Sequence, residues 1–163
     1  SSERGKNSAK YTKSRLTKES VHYLTNVMNS QGFFQFEYAD KKCLAVHGSL
    51  EDFFWKSIKP EEILLEYKNY DYVFSGHSHQ PHYFEKYYEV DDPVHRNHKR
   101  TIFINPGSVG QPRNHNPMAQ YVILDIETEE VQLCKIQYDI QIEQSAFTDN
   151  VDIFYKDRLA IGI

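Results

Sequence analysis

The chain has 163 residues, 39% hydrophobic and 26% charged, with a formal net charge of -4 and a pI near 6.0. That size holds one sizeable core, so residues 1–163 read as a single domain. The mild acidity argues against non-specific nucleic-acid binding, which leans on a dense cationic surface, and the apolar runs are too short for a membrane-spanning helix. Cys43 and Cys134 each sit in an apolar stretch and read as buried thiols of a reducing compartment, hence a cytoplasmic protein with no required disulfide. The start at Ser1, without a secretory leader, reads as a processed or cut end.

Residues 1–15 are polar, with scattered Lys and Arg, and read as a weakly docked segment that is helical in part. Thr17 caps a helix over 18–29 whose Val21, Leu24, Val27 and Met28 share one face. Ser30-Gln31-Gly32 ends it. Residues 33–38 and 43–46 then read as a hairpin around Ala39-Asp40-Lys41-Lys42. The second strand runs into His47-Gly48-Ser49. A histidine at a strand's carboxyl end, followed by a glycine that lets the chain turn, stands where open α/β sheets place functional side chains. A core histidine bonded to a backbone carbonyl is the other reading. Phe53, Phe54 and Trp55 read as a packed lid or loop, and Pro60 with Glu61 and Glu62 opens a second helix to about Lys68.

Tyr72, Val73 and Phe74 form a short strand that delivers Ser75-Gly76-His77-Ser78-His79. In extended backbone residues i and i+2 point to one side, so His77 and His79 make a metal-site candidate; a turn with two solvated histidines is the alternative. Pro81 closes this stretch, 83–90 is a further strand, and 91–99 is an exposed polar loop whose His95 and His98 serve no site. A strand over 101–104 enters Asn105-Pro106-Gly107-Ser108-Val109-Gly110-Gln111-Pro112-Arg113. Its two glycines and two prolines specify a shaped turn, either an anion-binding backbone cradle or a rigid structural element. Arg113 suits phosphate through its planar fork. Residues 120–126 and 131–138 alternate as a hairpin, and 151–159 forms a closing helix.

Three strand ends, His47-Gly48, Gly76-His77-Ser78-His79-Gln80-Pro81 and Asn105 through Arg113, stand in an order that resembles the calcineurin-like metallophosphoesterase superfamily. The likeness is to its small prokaryotic phosphodiesterases and its phosphoprotein or dinucleoside-polyphosphate phosphatases. The resemblance implies an α/β fold, a layered β-sandwich flanked by helices. It also implies a metal-dependent phosphoesterase acting on phosphorylated small molecules, nucleotides or phosphoproteins. Two divalent ions, drawn from Mn, Fe, Ni or Zn, are implied, with His47 and His77 on one and His79 on the other. Asn105 and Arg113 fall at the substrate.

The family also needs an amino-terminal Asp-x-His, a Gly-Asp bridging carboxylate and a Gly-Asn-His-Asp/Glu, and none of these strings occurs here. The chain therefore resembles the carboxyl-terminal portion only, without the amino-terminal strands and without a catalytic residue of its own. It is expected to be inactive alone, with the missing segment in the same polypeptide or in a partner, and to oligomerise through uncovered sheet edges. Two rival readings are a non-catalytic interaction module, similar to the phosphoesterase-fold subunit of the retromer coat, and a mononuclear metal-binding domain.

Overall fold

The computed structural model describes residues 2–28 and 31–163. A five-stranded sheet forms its centre, built from β1 (Phe33–Tyr38), β2 (Lys41–Val46), β3 (Tyr72–Ser75), β4 (His82–Glu89) and β5 (His98–Asn105), in the order β1-β2-β3-β5-β4. The middle strands β2, β3 and β5 run parallel, while β1 and β4 pair antiparallel at the two edges. The β1–β2 turn is tighter than the expected four residues. Ala39 and Asp40 both take positive φ, 49° and 60°, the backbone of a two-residue hairpin.

The two faces of this sheet are covered differently. On one, Leu44, Val46, Val73 and Phe103 pack beneath Ile58, Leu64 and Tyr67 from the segment between β2 and β3. That segment was expected to be helical over 60–68, but only a single 3-10 turn, Leu65–Tyr67, forms. Side-chain anchoring overrides helix propensity here: the Tyr67 hydroxyl accepts from Leu50 N at 2.8 Å and Tyr88 donates to the Leu64 carbonyl at 2.6 Å. Each bond pins the segment to a partner outside it, Leu50 or Tyr88, and tertiary contacts of this kind outweigh helix propensity. On the opposite face Cys43, Tyr72, Ile102 and Ile104 receive Val122, Leu124, Ile126 and Val131. Those residues belong to or adjoin the antiparallel hairpin of β6 (Ala119–Asp125) and β7 (Glu130–Ile136).

Among the described residues four α-helices flank the sheets: α1 (Glu3–Arg15), α2 (Lys18–His22), α3 (Ile140–Ser145) and α4 (Ile153–Asp157). α1, capped by Ser2, forms over a segment expected to be helical only in part, and its Arg4 lies 4.2 Å from the Phe154 ring centroid of α4. The expected helix over 18–29 begins as α2 and continues as a π turn over Tyr23–Val27, with residue 29 outside the described residues. Its Val21, Leu24, Val27 and Met28 stay exposed. α3, capped by Asp139, has no counterpart in the sequence reading. Among the described residues no helix is long and apolar enough to cross a membrane.

Candidate functional site

Parallel strands that start in register end in register, and this brings three turns together at one edge of the sheet. Val46 pairs with Ser75, and Phe74 with Ile104, so His47, Gly76-His77 and Asn105 leave the sheet side by side at its carboxyl ends. The turn after β2 is closed on itself. Gly48 N donates to Phe53 O at 2.7 Å and Ser49 N to Asp52 O at 3.0 Å. A Cβ on Gly48 would stand 2.5 Å from the Asp52 carbonyl oxygen, so only glycine fits. Asp52 Oδ1 accepts from the backbone N–H groups of both Phe54 and Trp55 at 3.0 Å. The lid or loop expected at 53–55 divides: Phe53 packs against the core with its ring 4.7 Å from that of Phe33, while Trp55 is 67% exposed, with its ring edge-on to His77 at 6.0 Å.

His77 Nδ1 lies 3.2 Å from His47 Nε2, and the two rings meet at 76° with centroids 5.2 Å apart. His79 turns elsewhere. Its Nδ1 lies 2.8 Å from the carbonyl oxygen of Gln111; a carbonyl only accepts, so Nδ1 carries the proton and Nε2 keeps its lone pair. Both histidines of the pair adopt left-handed backbone, φ 61° at His77 and 57° at His79, a conformation that costs on the order of 1–3 kcal/mol for a side chain other than glycine. Because φ is positive at both, the alternation of an extended strand does not hold, and the two rings meet different partners, His47 and the Gln111 carbonyl. Burial, followed by the nearby His77, pushes His47 below the usual imidazole range. Burial likewise lowers His79, aided by the charges of Arg113 and Arg158. Both therefore favour the neutral, lone-pair-bearing form at neutral pH.

Asn105 holds this arrangement in place. It is 1% exposed; Nδ2 donates to Gly76 O at 2.9 Å and Ser78 Oγ at 3.1 Å, while Oδ1 accepts from Gly107 N at 2.9 Å. Asn105 was expected at the substrate; its amide is committed to the loop carrying His77. Arg113 is exposed, donates its backbone N–H to His79 O at 3.2 Å and acts electrostatically on the His79 ring. The 105–113 turn thus borders the histidines. Gly107 takes φ 83°, and its Cα abuts the buried Gln120 side chain so closely that a Cβ would stand 2.2 Å from Oε1.

Two carboxylate candidates for a metal site, Asp52 and Asp71, are occupied. Asp52 is spent on its own turn. Asp71 lies at the other end of the sheet, accepting from Lys42 N at 2.7 Å and pairing with Lys99 at 2.9 Å. Among the described residues no three His, Cys, Asp or Glu side chains are grouped so as to hold a metal ion. The imidazoles offer nitrogen donors of the right kind, but the oxygen donors of a two-metal site are not among these residues. Beside His47 runs an apolar groove of about 940 Å³, lined by Phe33, Phe34, Val46, Phe74, Ile104 and Leu124 among others. One edge of β6 borders this region and pairs with no strand among the described residues. Residues the sequence did not point to are Gln111, whose contribution is a main-chain oxygen, and the buried Arg158 beyond it.

The pattern of calcineurin-like phosphoesterase superfamily domains matches residues 6–129. Among curated proteins the chain is 29% identical over 112 residues to the uncharacterised protein MJ0912 of Methanocaldococcus jannaschii, covering 66% of this chain and 46% of that protein. The chain thus spans about half the length of the curated relative it matches. Among solved structures, a metallophosphoesterase from Sphaerobacter thermophilus superposes with a TM-score of 0.74 at 23% identity, over 95% of this chain and 67% of the other. The hypothetical protein PH1004 from Pyrococcus horikoshii OT3 superposes with a TM-score of 0.75 at 19% identity, over 100% of this chain and 62% of the other. With the family pattern running through most of the sequence and the same fold in both solved structures, this chain belongs to the calcineurin-like phosphoesterase superfamily.

Proposed function

We propose that this chain carries one side of a metal-dependent phosphoesterase site, with His47 and His77 on one divalent ion and His79 directed to a second. The observation that carries the reading is the 3.2 Å separation of His77 Nδ1 from His47 Nε2. Two imidazole nitrogens each about 2.0 Å from one tetrahedral ion stand roughly 3.3 Å apart. His79 adds support, since a histidine whose Nδ1–H is tied to a backbone carbonyl presents Nε2 in a fixed direction, as metal-binding histidines do. Paired left-handed histidines in one short turn are the kind of strain that function retains.

A bound divalent ion would polarise the phosphoryl group and activate water near neutral pH. The chain's own residues bind and orient: the imidazoles as ligands, Asn105 as the anchor of their loop, and Arg113 as a contact for the phosphoryl oxygens. Imidazole suits Mn, Fe, Ni and Zn alike in different settings, so the donor set does not choose among them. Substrates are phosphomonoesters or phosphodiesters. The apolar groove beside His47 and the unpaired edge of β6 support the idea that a further strand, carrying the missing carboxylates, completes the site from the same polypeptide or a partner.

The test is calorimetric titration of Mn, Ni and Zn into the 163-residue chain, followed by an aryl phosphate assay. Binding should be lost in His47→Ala and in His77→Ala and kept in His22→Ala, with no turnover by this chain alone. A chain that binds none of the three ions overturns the reading. Turnover that disappears in His77→Ala would instead show the site to be complete as it stands.

A further inference from the structure

The carboxyl-terminal tail reaches the site through a chain of contacts that the motif reading does not include. Arg158 is 8% exposed. Its Nε donates to the main-chain oxygen of Ile163, its Nη1 lies 3.4 Å from Gln111 Oε1, and its guanidinium carbon stands 4.9 Å from the Phe154 ring centroid. Phe154 is held from another side by Arg4 of α1. Gln111 is the residue whose carbonyl holds His79 Nδ1 at 2.8 Å. A second strap lies alongside: His115 N donates to Gly162 O at 2.8 Å. Gly162, at φ 64°, sits so close to Asn116 that a Cβ would fall 2.6 Å from its backbone. The segment from Gln111 to Asn116 is thus clamped at both ends by residues 158–162.

We infer that Arg158 is a positioning residue for His79, fixing through Gln111 the ring direction and tautomer that leave Nε2 free. The role in catalysis rests on the phosphoesterase reading, but the positioning itself does not. His79 has left-handed backbone, which no local hydrogen bond of its own side chain secures, so its ring direction depends on the Gln111 carbonyl staying where the tail holds it. Arg158 touches no reacting atom. Its planar fork lets one side chain engage the tail oxygen and the Gln111 amide together, which a shorter or single-point donor would not.

Long-range nitrogen NMR of the histidine rings in the metal-free chain tests this directly, because a protonated and an unprotonated ring nitrogen resonate far apart. In the unaltered chain His79 should show Nδ1 protonated and Nε2 bare, the form less populated in free histidine. Arg158→Gln and Gln111→Ala should both move His79 toward the Nε2–H form while leaving the His47 and His77 signals in place; Gln111→Ala cuts the side-chain link without removing the carbonyl or undocking the tail. Arg158→Lys should restore the signal in part. Zinc affinity should fall about tenfold in Arg158→Gln, the scale expected when the partner that orients a metal-binding histidine is lost. A His79 tautomer unchanged in Gln111→Ala overturns the inference, whether or not Arg158→Gln folds. Altered tautomers in a chain that binds no metal would keep the positioning role and discard the phosphoesterase reading instead.

Discussion

Replacing Asn105 by alanine tests how the site is held. The side chain is 1% exposed, and the substitution removes two donors, to Gly76 O and Ser78 Oγ, and one acceptor, for Gly107 N. At a net of about 1 kcal/mol per bond, less what water recovers at the half-exposed Gly76 and Ser78, the loss is roughly 2–3 kcal/mol. With a urea dependence of about 1–3 kcal/mol per molar for a chain of this size, the unfolding midpoint should fall by about 0.7–3 M. Asn105→Asp should do no better. Its carboxylate can still accept from Gly107 N but would face the Gly76 carbonyl with no proton to offer. Urea unfolding followed by circular dichroism measures both, and the ring signals of His77 report whether its loop has moved. An unfolding free energy for Asn105→Ala within about 0.5 kcal/mol of the unaltered chain, the range of ordinary surface changes, would refute the view that this amide anchors the histidine turn.

Gly48→Ala should destabilise by about 2 kcal/mol or more, because its Cβ would meet three backbone carbonyl oxygens within 3.0 Å and backbone cannot swing aside as a side chain can; thermal unfolding reads this. Tyr67→Phe leaves Leu50 N without its acceptor at 2.8 Å, and chemical unfolding should show a loss of about 1–2 kcal/mol. Glu129 sits between Lys41, at 2.9 Å, and Arg100, and hydrogen bonding from Lys41, then Arg100, holds its carboxyl below the usual range. A lowered folded-state value gives stability that is full above the unfolded carboxyl value of about 4.3 and is lost as pH falls through the folded one. Glu129→Gln should therefore flatten the acid limb of a stability–pH curve, by about 1 kcal/mol or less given that these side chains are a third exposed; an unchanged limb would contradict the pairing.

Much of the site was legible because its elements are local. Short apolar runs followed by His47-Gly48, Gly76-His77 and Asn105-Pro106-Gly107 mark strands that end in turns, and strand type and turn chemistry depend on neighbours in sequence. The 60–68 segment went astray for the opposite reason. Its Pro and acidic residues favour a helix start, while the contacts that decided its conformation, from Tyr67 to Leu50 and from Tyr88 to Leu64, come from strands and loops far along the chain. Likewise Phe53, Phe54 and Trp55 read together as a lid or loop, yet only Phe53 packs on the core, while Trp55 lies open beside His77, its backbone N–H held by Asp52.

What the sequence determined by itself is the set of nitrogen donors and the strand ends that carry them, since residue type and turn-forming spacing are written locally. What only the tertiary structure decided is where those donors point. Parallel register set His47 against His77, whereas left-handed backbone at His77 and His79 broke the alternation expected of an extended strand and sent His79 to Gln111. Backbone handedness at those two residues is held by a buried amide from β5 and by the 105–113 turn, and contacts over such sequence separations leave no periodic trace for a reader of the chain to find.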